Sequence, residues 1–237
     1  MALRQSKKKA PRREDKLTKM QWPLEEGVFD RDSLLTLERF MKKGIIYNMD
    51  YCVAKGKEAN VYRATTKEGK FNAIKMYRLR SPSFLHMQQY IEGDRRFEKA
   101  SKNKQSTIFT WTRKEFANLK LLFDAGISVP EPIAFKHNVL AMQFLGENGL
   151  PYSRLCDVGP ADPKQDYKTL VSYVEAIKQA GLIHCDISEY NILTDGQKFY
   201  IIDVGQAVLT SHPSASEFYR RDLENLKKYF SKFGVCE

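Results

Sequence analysis

The run His184-Cys185-Asp186-Ile187-Ser188-Glu189-Tyr190-Asn191-Ile192-Leu193, with Phe199-Tyr200-Ile201-Ile202-Asp203 after a turn, sets three oxygen-bearing side chains at measured intervals. Asp186 and Asn191 lie five residues apart, and Asp203 follows twelve later. Asp195-Gly196 separates two apolar, strand-like stretches, a strong tight-turn signal, so the segment predicts a β-hairpin. A hairpin returns its end to its beginning, which puts Asp203 beside Asn191. Asp186, Asn191 and Asp203 are then expected to converge, and hard oxygen ligands converging beside a phosphate are what Mg²⁺ requires.

Working outward, 237 residues allow one domain or two small lobes, and 42% apolar residues suffice for a real core. No run of eighteen apolar residues occurs, so no transmembrane helix is expected. The basic N-terminus has no apolar stretch behind it, which argues against a secretory signal. Cys52, Cys156, Cys185 and Cys236 are scattered without zinc spacing, as in a cytoplasmic protein with reduced thiols. The net charge of +10 is concentrated in residues 1–19, at +6, and residues 78–105, at +4. Charge focused in this way implies a polyanionic partner, with a solvated tail and loop as the plainer alternative.

Residues 1–20 are expected to be a basic disordered tail. A first helix is predicted from Asp30 to Lys43, capped at Asp32-Ser33 and stopped by Gly44. The piece before residue 47 is expected to be too short for a winged-helix module. Strands follow over residues 47–77, and period two puts Phe71, Ala73, Lys75 and Tyr77 on one face. A lysine there is either an edge residue snorkelling to water or a partnered charge. Residues 78–105 read as a long, mobile, basic insertion carrying one helix. On the helix expected over 108–124, Glu115 interrupts the stripe Trp111, Leu119, Leu122. A carboxylate on an apolar face is costly unless paired, and Lys75 is its candidate partner. Residues 139–145 form a buried strand ending at a turn cluster, 146–149, that suits a hinge. Helices over 163–181 and 217–230 flank the opening segment.

Together these pieces describe an ATP-handling site, where the protein's work is charge neutralisation and positioning. Lys75, held by Glu115, would neutralise the α- and β-phosphates. Asn191 and Asp203 would hold the metal, and Asp186 would accept a proton from, or orient, the nucleophile. The loop containing Gly56 and Lys57 would cover the triphosphate, and the strand ending at Leu145 would meet the adenine edge.

The chain resembles the RIO atypical protein kinases, specifically the type-one branch. The resemblance rests on Gly-Lys-Glu-Ala-Asn-Val-Tyr (56–62), Ala-Ile-Lys-Met-Tyr (73–77), Tyr-Ile-Glu-Gly-Asp-Arg-Arg-Phe (90–97) and Trp-Thr-Arg-Lys-Glu-Phe-Ala-Asn-Leu (111–119). The His-Cys-Asp segment, Ile-Asp-Val-Gly-Gln-Ala-Val (202–208) and His-Pro-Ser-Ala-Ser-Glu-Phe (212–218) complete it. It implies an α+β, two-lobed protein-kinase-like fold lacking the usual activation loop and peptide-binding subdomains. The expected division is an N-lobe at 21–141, a hinge at 142–149 and a C-lobe at 150–237. The implied activity is Ser/Thr autophosphorylation or ATP hydrolysis with Mg²⁺ (or Mn²⁺), with Asp203 also an aspartyl-phosphate acceptor. The implied setting is cytoplasmic maturation of a pre-40S or 30S ribosomal particle, reached through rRNA by the tail and insertion. No membrane is implied, and the chain would be a monomer or weak dimer. Met142, Gln143 and Leu145 match the adenine-contacting residues. Only Gly56 remains of the usual glycine-rich loop, Ser188 stands where kinases carry a phosphate-binding lysine, and Gln143 replaces a glutamate. Two other readings share much of this pattern: a small-molecule phosphotransferase of the aminoglycoside-kinase type, and a non-catalytic ATP-binding ribosome assembly factor.

Overall fold

The structure, a computed structural model, describes residues 29–79, 84–97 and 103–235. The basic segment 1–20, and residues 80–83 and 98–102 of the basic insertion, lie outside the described residues.

Helix α1 (Arg31–Lys42) is capped by Asp30, whose carboxylate accepts the Ser33 N–H at 2.9 Å. The cap therefore precedes the expected Asp32-Ser33, because the extended backbone at Asp30 leaves Asp32 already within the first turn. Five strands follow: β1 (Asn48–Lys55), β2 (Ala59–Thr65), β3 (Phe71–Tyr77), β4 (Pro132–Lys136) and β5 (Val139–Gln143). They form an antiparallel sheet in the order β1-β2-β3-β5-β4. Leu37 and Phe40 of α1 pack with Tyr62, Ile74, Met76, Val139 and Ala141 on one face of this sheet. The opposite face is also covered, so β3 is buried continuously from Ala73 to Tyr77 and shows no solvent alternation.

That second cover comes from α2 (Phe84–Ile91) and α3 (Lys104–Asp124). Met87, Tyr90, Ile91 and Phe97 are buried against Tyr77, Ile108 and Trp111. Within the insertion expected over 78–105, residues 84–97 are docked by their own apolar residues. At twenty-one residues α3 is about 30 Å long. Its first half joins the cluster under the sheet, while Leu119 and Leu122 enter a second core with Val129, Leu155, Leu170, Ile177, Ile192 and Phe230.

The second core belongs to a mainly helical part. Strands β6 (Gly146–Glu147) and β7 (Leu150–Pro151) form a small hairpin, and β8 (Ser153–Arg154) leads into α4 (Leu155–Val158). The turn cluster 146–149 is therefore structured. Arg63 and Tyr51 both donate to the Gly149 carbonyl, at 2.6 and 2.9 Å, tying this hairpin back to β1 and β2. Helices α5 (Pro163–Gln179) and α6 (Ala215–Ser231) pack on each other and on β9 (Leu182–Ile183), which pairs with β12 (Val208–Leu209), while β10 (Ile192–Thr194) pairs with β11 (Phe199–Ile201) and β8. β10 and β11 form the expected hairpin, though its loop spans 195–198. Asp195 accepts the Gln197 and Lys198 N–H groups, which makes the connection an Asx-type turn and not a two-residue one. With α6 starting at Ala215, no segment long enough for an activation loop follows Asp203. Among the described residues no helix is long and apolar enough to cross a membrane.

Candidate active site

Lys75 is the meeting point of the two parts of the molecule. Its Nζ donates to Glu115 Oε1 at 2.7 Å and to Asp203 Oδ1 at 3.0 Å. Glu115 is essentially inaccessible, and Tyr77, two residues along the same face of β3, donates its hydroxyl to the other Glu115 oxygen. Burial alone would strip Lys75 of its proton, but Asp203 and Glu115 outweigh it and hold the ammonium well above its ordinary pKa. Burial pushes Glu115 upward, against the pull of Lys75. Packing around Asp203 also opposes its ionisation, yet Lys75 keeps that carboxyl below the ordinary range. The Asp203 side chain remains 50% exposed.

Asp203 sits at φ 60°, a conformation side-chain-bearing residues seldom adopt, so the surrounding fold must impose it. Its preceding residue is paired to the other loop, because the Ile202 N–H donates to the Asn191 backbone carbonyl at 3.0 Å. The Asn191 amide nitrogen donates to the Asp186 carboxylate at 3.0 Å and to its backbone carbonyl at 2.9 Å. Asp186, Asn191 and the Asp203 backbone are therefore brought together. The Asp203 carboxylate turns instead toward Lys75. Among the described residues no three acidic, histidine or cysteine side chains form a metal-holding group. Burial pushes the Asp186 carboxyl above its ordinary range, and the nearby Asp203 charge adds to that. The Gln206 amide donates to Asp186 Oδ2 at 3.2 Å.

Gly56 closes the β1–β2 turn, its N–H bonded to the Ala59 carbonyl at 2.9 Å. A Cβ at position 56 would lie 2.9 Å from that same oxygen, which explains the glycine. Lys57 is exposed in this turn. Met142 and Gln143 end β5, and Leu145 is buried just beyond it. The Gln143 N–H donates to the Glu131 carbonyl at 2.8 Å, and the Leu145 carbonyl accepts from the Tyr152 N–H at 3.1 Å.

Several residues essential to this arrangement went unread in the sequence. Asp222 of α6 is fully buried and accepts the Cys185 and Ile187 N–H groups at 2.9 and 3.0 Å. Arg221 donates to the Cys185 carbonyl and Asn225 to the Ile187 carbonyl. The loop around Asp186, with Cys185 at φ 71°, is thus bound on several sides to one helix. His184 accepts the Asp186 N–H at Nδ1, so its Nε2 carries the hydrogen directed at the Ile202 carbonyl. Asp222 falls four residues from both Phe218 and Leu226, the same signature of a charge on an apolar stripe that exposed Glu115. Tyr77 lies on the face of Lys75, as period two places it; only its hydroxyl's hold on Glu115 had no signal in the sequence.

A family model described as the RIO domain matches residues 60–237. The RIO-type serine/threonine-protein kinase Rio1 of Haloferax volcanii is 38% identical over 215 residues, covering 91% of this chain and 74% of that protein. The serine/threonine-protein kinase RIO1 of Homo sapiens is 37% identical, over 89% of this chain and 38% of its own length. Among solved structures, the Rio2 kinase–ADP/Mg²⁺–phosphoaspartate complex of Chaetomium thermophilum has a TM-score of 0.69 at 24% identity, covering 87% of this chain and 62% of that one. That last likeness speaks for the fold, a kinase-like α+β architecture with a β-sheet lobe and a helical part. With the family model covering most of the chain, and both lobes' signature segments in the places described, the chain belongs to the RIO family of atypical serine/threonine kinases, in its type-one branch.

Proposed function

We propose that this chain binds Mg–ATP in the cleft beside Lys75 and transfers or hydrolyses the γ-phosphoryl group. The observation that carries this is the Lys75 ammonium, buried and held between Glu115 at 2.7 Å and Asp203 at 3.0 Å. A lysine fixed in this way keeps its charge and presents it at one place, which is what neutralising the α- and β-phosphates demands. Phosphate oxygens would compete with Asp203 for Lys75 and free that carboxylate. The donor set then fits Mg²⁺, since the Asn191 side-chain oxygen and the Asp203 carboxylate are both hard ligands. When bound, the ion supplies charge neutralisation between the phosphates. Asp186, with a pKa raised by burial, is suited to take the proton of an incoming hydroxyl.

The backbone at Gly56-Lys57 covers the phosphates in this reading, and Met142, Gln143 and Leu145 border the adenine. Because the Gln143 N–H and the Leu145 carbonyl are engaged elsewhere, the base would meet the Gln143 carbonyl and the Leu145 N–H. The boundary between lobes is placed at 142–149 on the same grounds. The acceptor is a protein serine, Asp203 itself, or water; the Chaetomium Rio2 complex is one with a phosphoaspartate. Work on a small ribosomal subunit precursor, through rRNA contacts with the basic segments, is the partner this reading favours.

Incubation with γ-labelled ATP and Mg²⁺ tests the assignment. Labelled protein or released phosphate is expected from the native chain and none above background from Lys75→Ala; near-native activity in that variant would overturn the role of Lys75. Stability of the label to acid and to hydroxylamine marks phosphoserine, whereas lability to hydroxylamine marks an acyl phosphate on Asp203.

A further inference from the structure

We infer that Lys114 is a positioning residue for phosphoryl transfer, fixing the turn after Asp203 to helix α3 and thereby the carboxylates of Asp203 and Asp186. This rests on the reading of the cleft as a phosphoryl-transfer site. Lys114 is fully buried, and its Nζ donates to the backbone carbonyls of Gly205, at 2.9 Å, and Ala207. Four residues on, Asn118 donates from one amide nitrogen to the carbonyls of Val204 and Ala207, each at 2.9 Å. Arg96 braces the other end of that amide, donating to Asn118 Oδ1 at 2.8 Å. The Trp111 indole lies against Gly205 so closely that a Cβ there would be 2.9 Å from its ring nitrogen. Residues 204–207 thus rest on three successive turns of one helix.

Burying an ammonium is expensive unless it is paired; an apolar side chain of similar length would avoid that cost but would leave the buried Gly205 carbonyl without this donor. Among the described residues no carboxylate forms an ion pair with Lys114: Asp94 is held by Arg96 at 2.7 Å, and Glu115 points to Lys75 and Tyr77. Burial accordingly pulls the Lys114 pKa down to about 7, with the Asp94 charge opposing the fall. Charged or neutral, the amino group has the two N–H bonds that the two carbonyls require. What it provides is a directed hold in a dry setting, where hydrogen bonds are strong and charge-assisted ones stronger. The turn it holds carries function at both ends. Asp203 enters at its strained φ of 60°, with its carboxylate on Lys75. Gln206 leaves toward Asp186 at 3.2 Å. Lys114 and Glu115 are adjacent in sequence, and each is one contact removed from Asp203: Glu115 holds Lys75, and Lys114 holds the turn that follows Asp203. Glu115 acts through Lys75 and Lys114 through the backbone, so the helix sets where that carboxylate stands.

Steady-state ATP turnover by the native chain, Lys114→Met and Asn118→Ala, with Mg²⁺ titrations and thermal melting of each, tests this. Losing a residue that orients others typically lowers activity or metal affinity about 10- to 100-fold. For Lys114→Met the expected result is a fall in kcat of that order and a rise in the Mg²⁺ needed for half-maximal rate. KM for ATP should move by less than about threefold, since lost orientation of reacting groups appears in kcat. Asn118→Ala keeps Lys114 and should show the same pattern more weakly, and it decides the matter if Lys114→Met does not fold. Unchanged kcat and Mg²⁺ dependence in a folded variant, or a loss that only tracks the unfolded fraction, would overturn the inference. An inactive native chain would instead overturn the phosphoryl-transfer reading itself.

Discussion

The two loops that carry the acidic residues are held differently. The loop around Asp186 offers N–H groups to a buried carboxylate, Asp222, and carbonyls to Arg221 and Asn225, all on α6. The turn after Asp203 offers carbonyls to a buried amino group and an amide, Lys114 and Asn118, on α3. The helices differ as well. Both helices reach both cores, α6 through Ala215 and Phe218 on one side and Leu226 and Phe230 on the other, but of the two only α3 also holds Lys75, through Glu115. One carboxylate is therefore referred to α6 and the other to the helix that also fixes Lys75. Phosphoryl transfer needs both frames in register, which ties the chemistry to the seating of α3.

The largest effect should come from removing the first anchor. Asp222→Ala leaves two buried N–H groups without acceptors, each costing about 1–3 kcal/mol. A loss near 4 kcal/mol would lower the melting temperature by roughly 10 °C in a domain of this size. Differential scanning calorimetry of the variant beside Lys114→Met sharpens the contrast between the loops. The α6 anchor should show mainly in stability, and the α3 anchor mainly in turnover. Similar melting losses with similar turnover losses in both would mean that the loops are held for the same reason.

A smaller effect is expected at Tyr77. Its hydroxyl holds the Glu115 oxygen that Lys75 does not use, so Tyr77→Phe frees Glu115 to rotate while keeping the ring in the core. Losing a hydrogen bond to a charged group, at about 1.5–3 kcal/mol, should lower kcat roughly tenfold or somewhat more. Melting should fall by only a few degrees. A rate within twofold of native would show that Lys75 alone orients Glu115, and that α3 needs no help from β3 beyond that contact.

How much of this could be read from the sequence depended on whether the signal was local. Lys75 and Glu115 were legible because each breaks an apolar periodicity within a few residues, and the hairpin after Asn191 because Asp195-Gly196 marks a turn. Asp222 carried the same kind of signal between Phe218 and Leu226, but the stripe was read for its apolar members alone. Lys114 was beyond reach. A helix covered on one side buries Glu115 and exposes its neighbour. Only because α3 is enclosed by the sheet, the docked segment 84–97 and the turn at 204–207 are residues 114 and 115 buried together. Its partners lie about ninety positions away and are backbone carbonyls, which have no side-chain identity for a pattern to register. The docking of 84–97 was hidden for a related reason, since Met87 and Tyr90 lie in a short helix, Phe97 follows a charged turn, and their shared face shows only against Trp111.

The finest distinction between the two loops lies where they touch, at Gln206 and Asp186. Burial raises the Asp186 carboxyl above the ordinary carboxylate range, and the proximity of Asp203 adds to the rise. A group with a raised folded pKa is in its basic form only above that value, so a rate that needs Asp186 as a base must fall as pH drops through it. The amide of Gln206 favours the ionised form by donating to Oδ2. In Gln206→Leu that support is gone, and the acid limb of kcat/KM should move to higher pH. A bond of this length between an amide and a half-buried carboxylate is worth about 0.7 kcal/mol, or roughly half a pH unit, toward the low end for a protein hydrogen bond. Melting and the alkaline limb should hardly change. An acid limb that stays in place would leave Asn191 as the residue that tunes Asp186, and the two loops would then meet in space without influencing each other's chemistry.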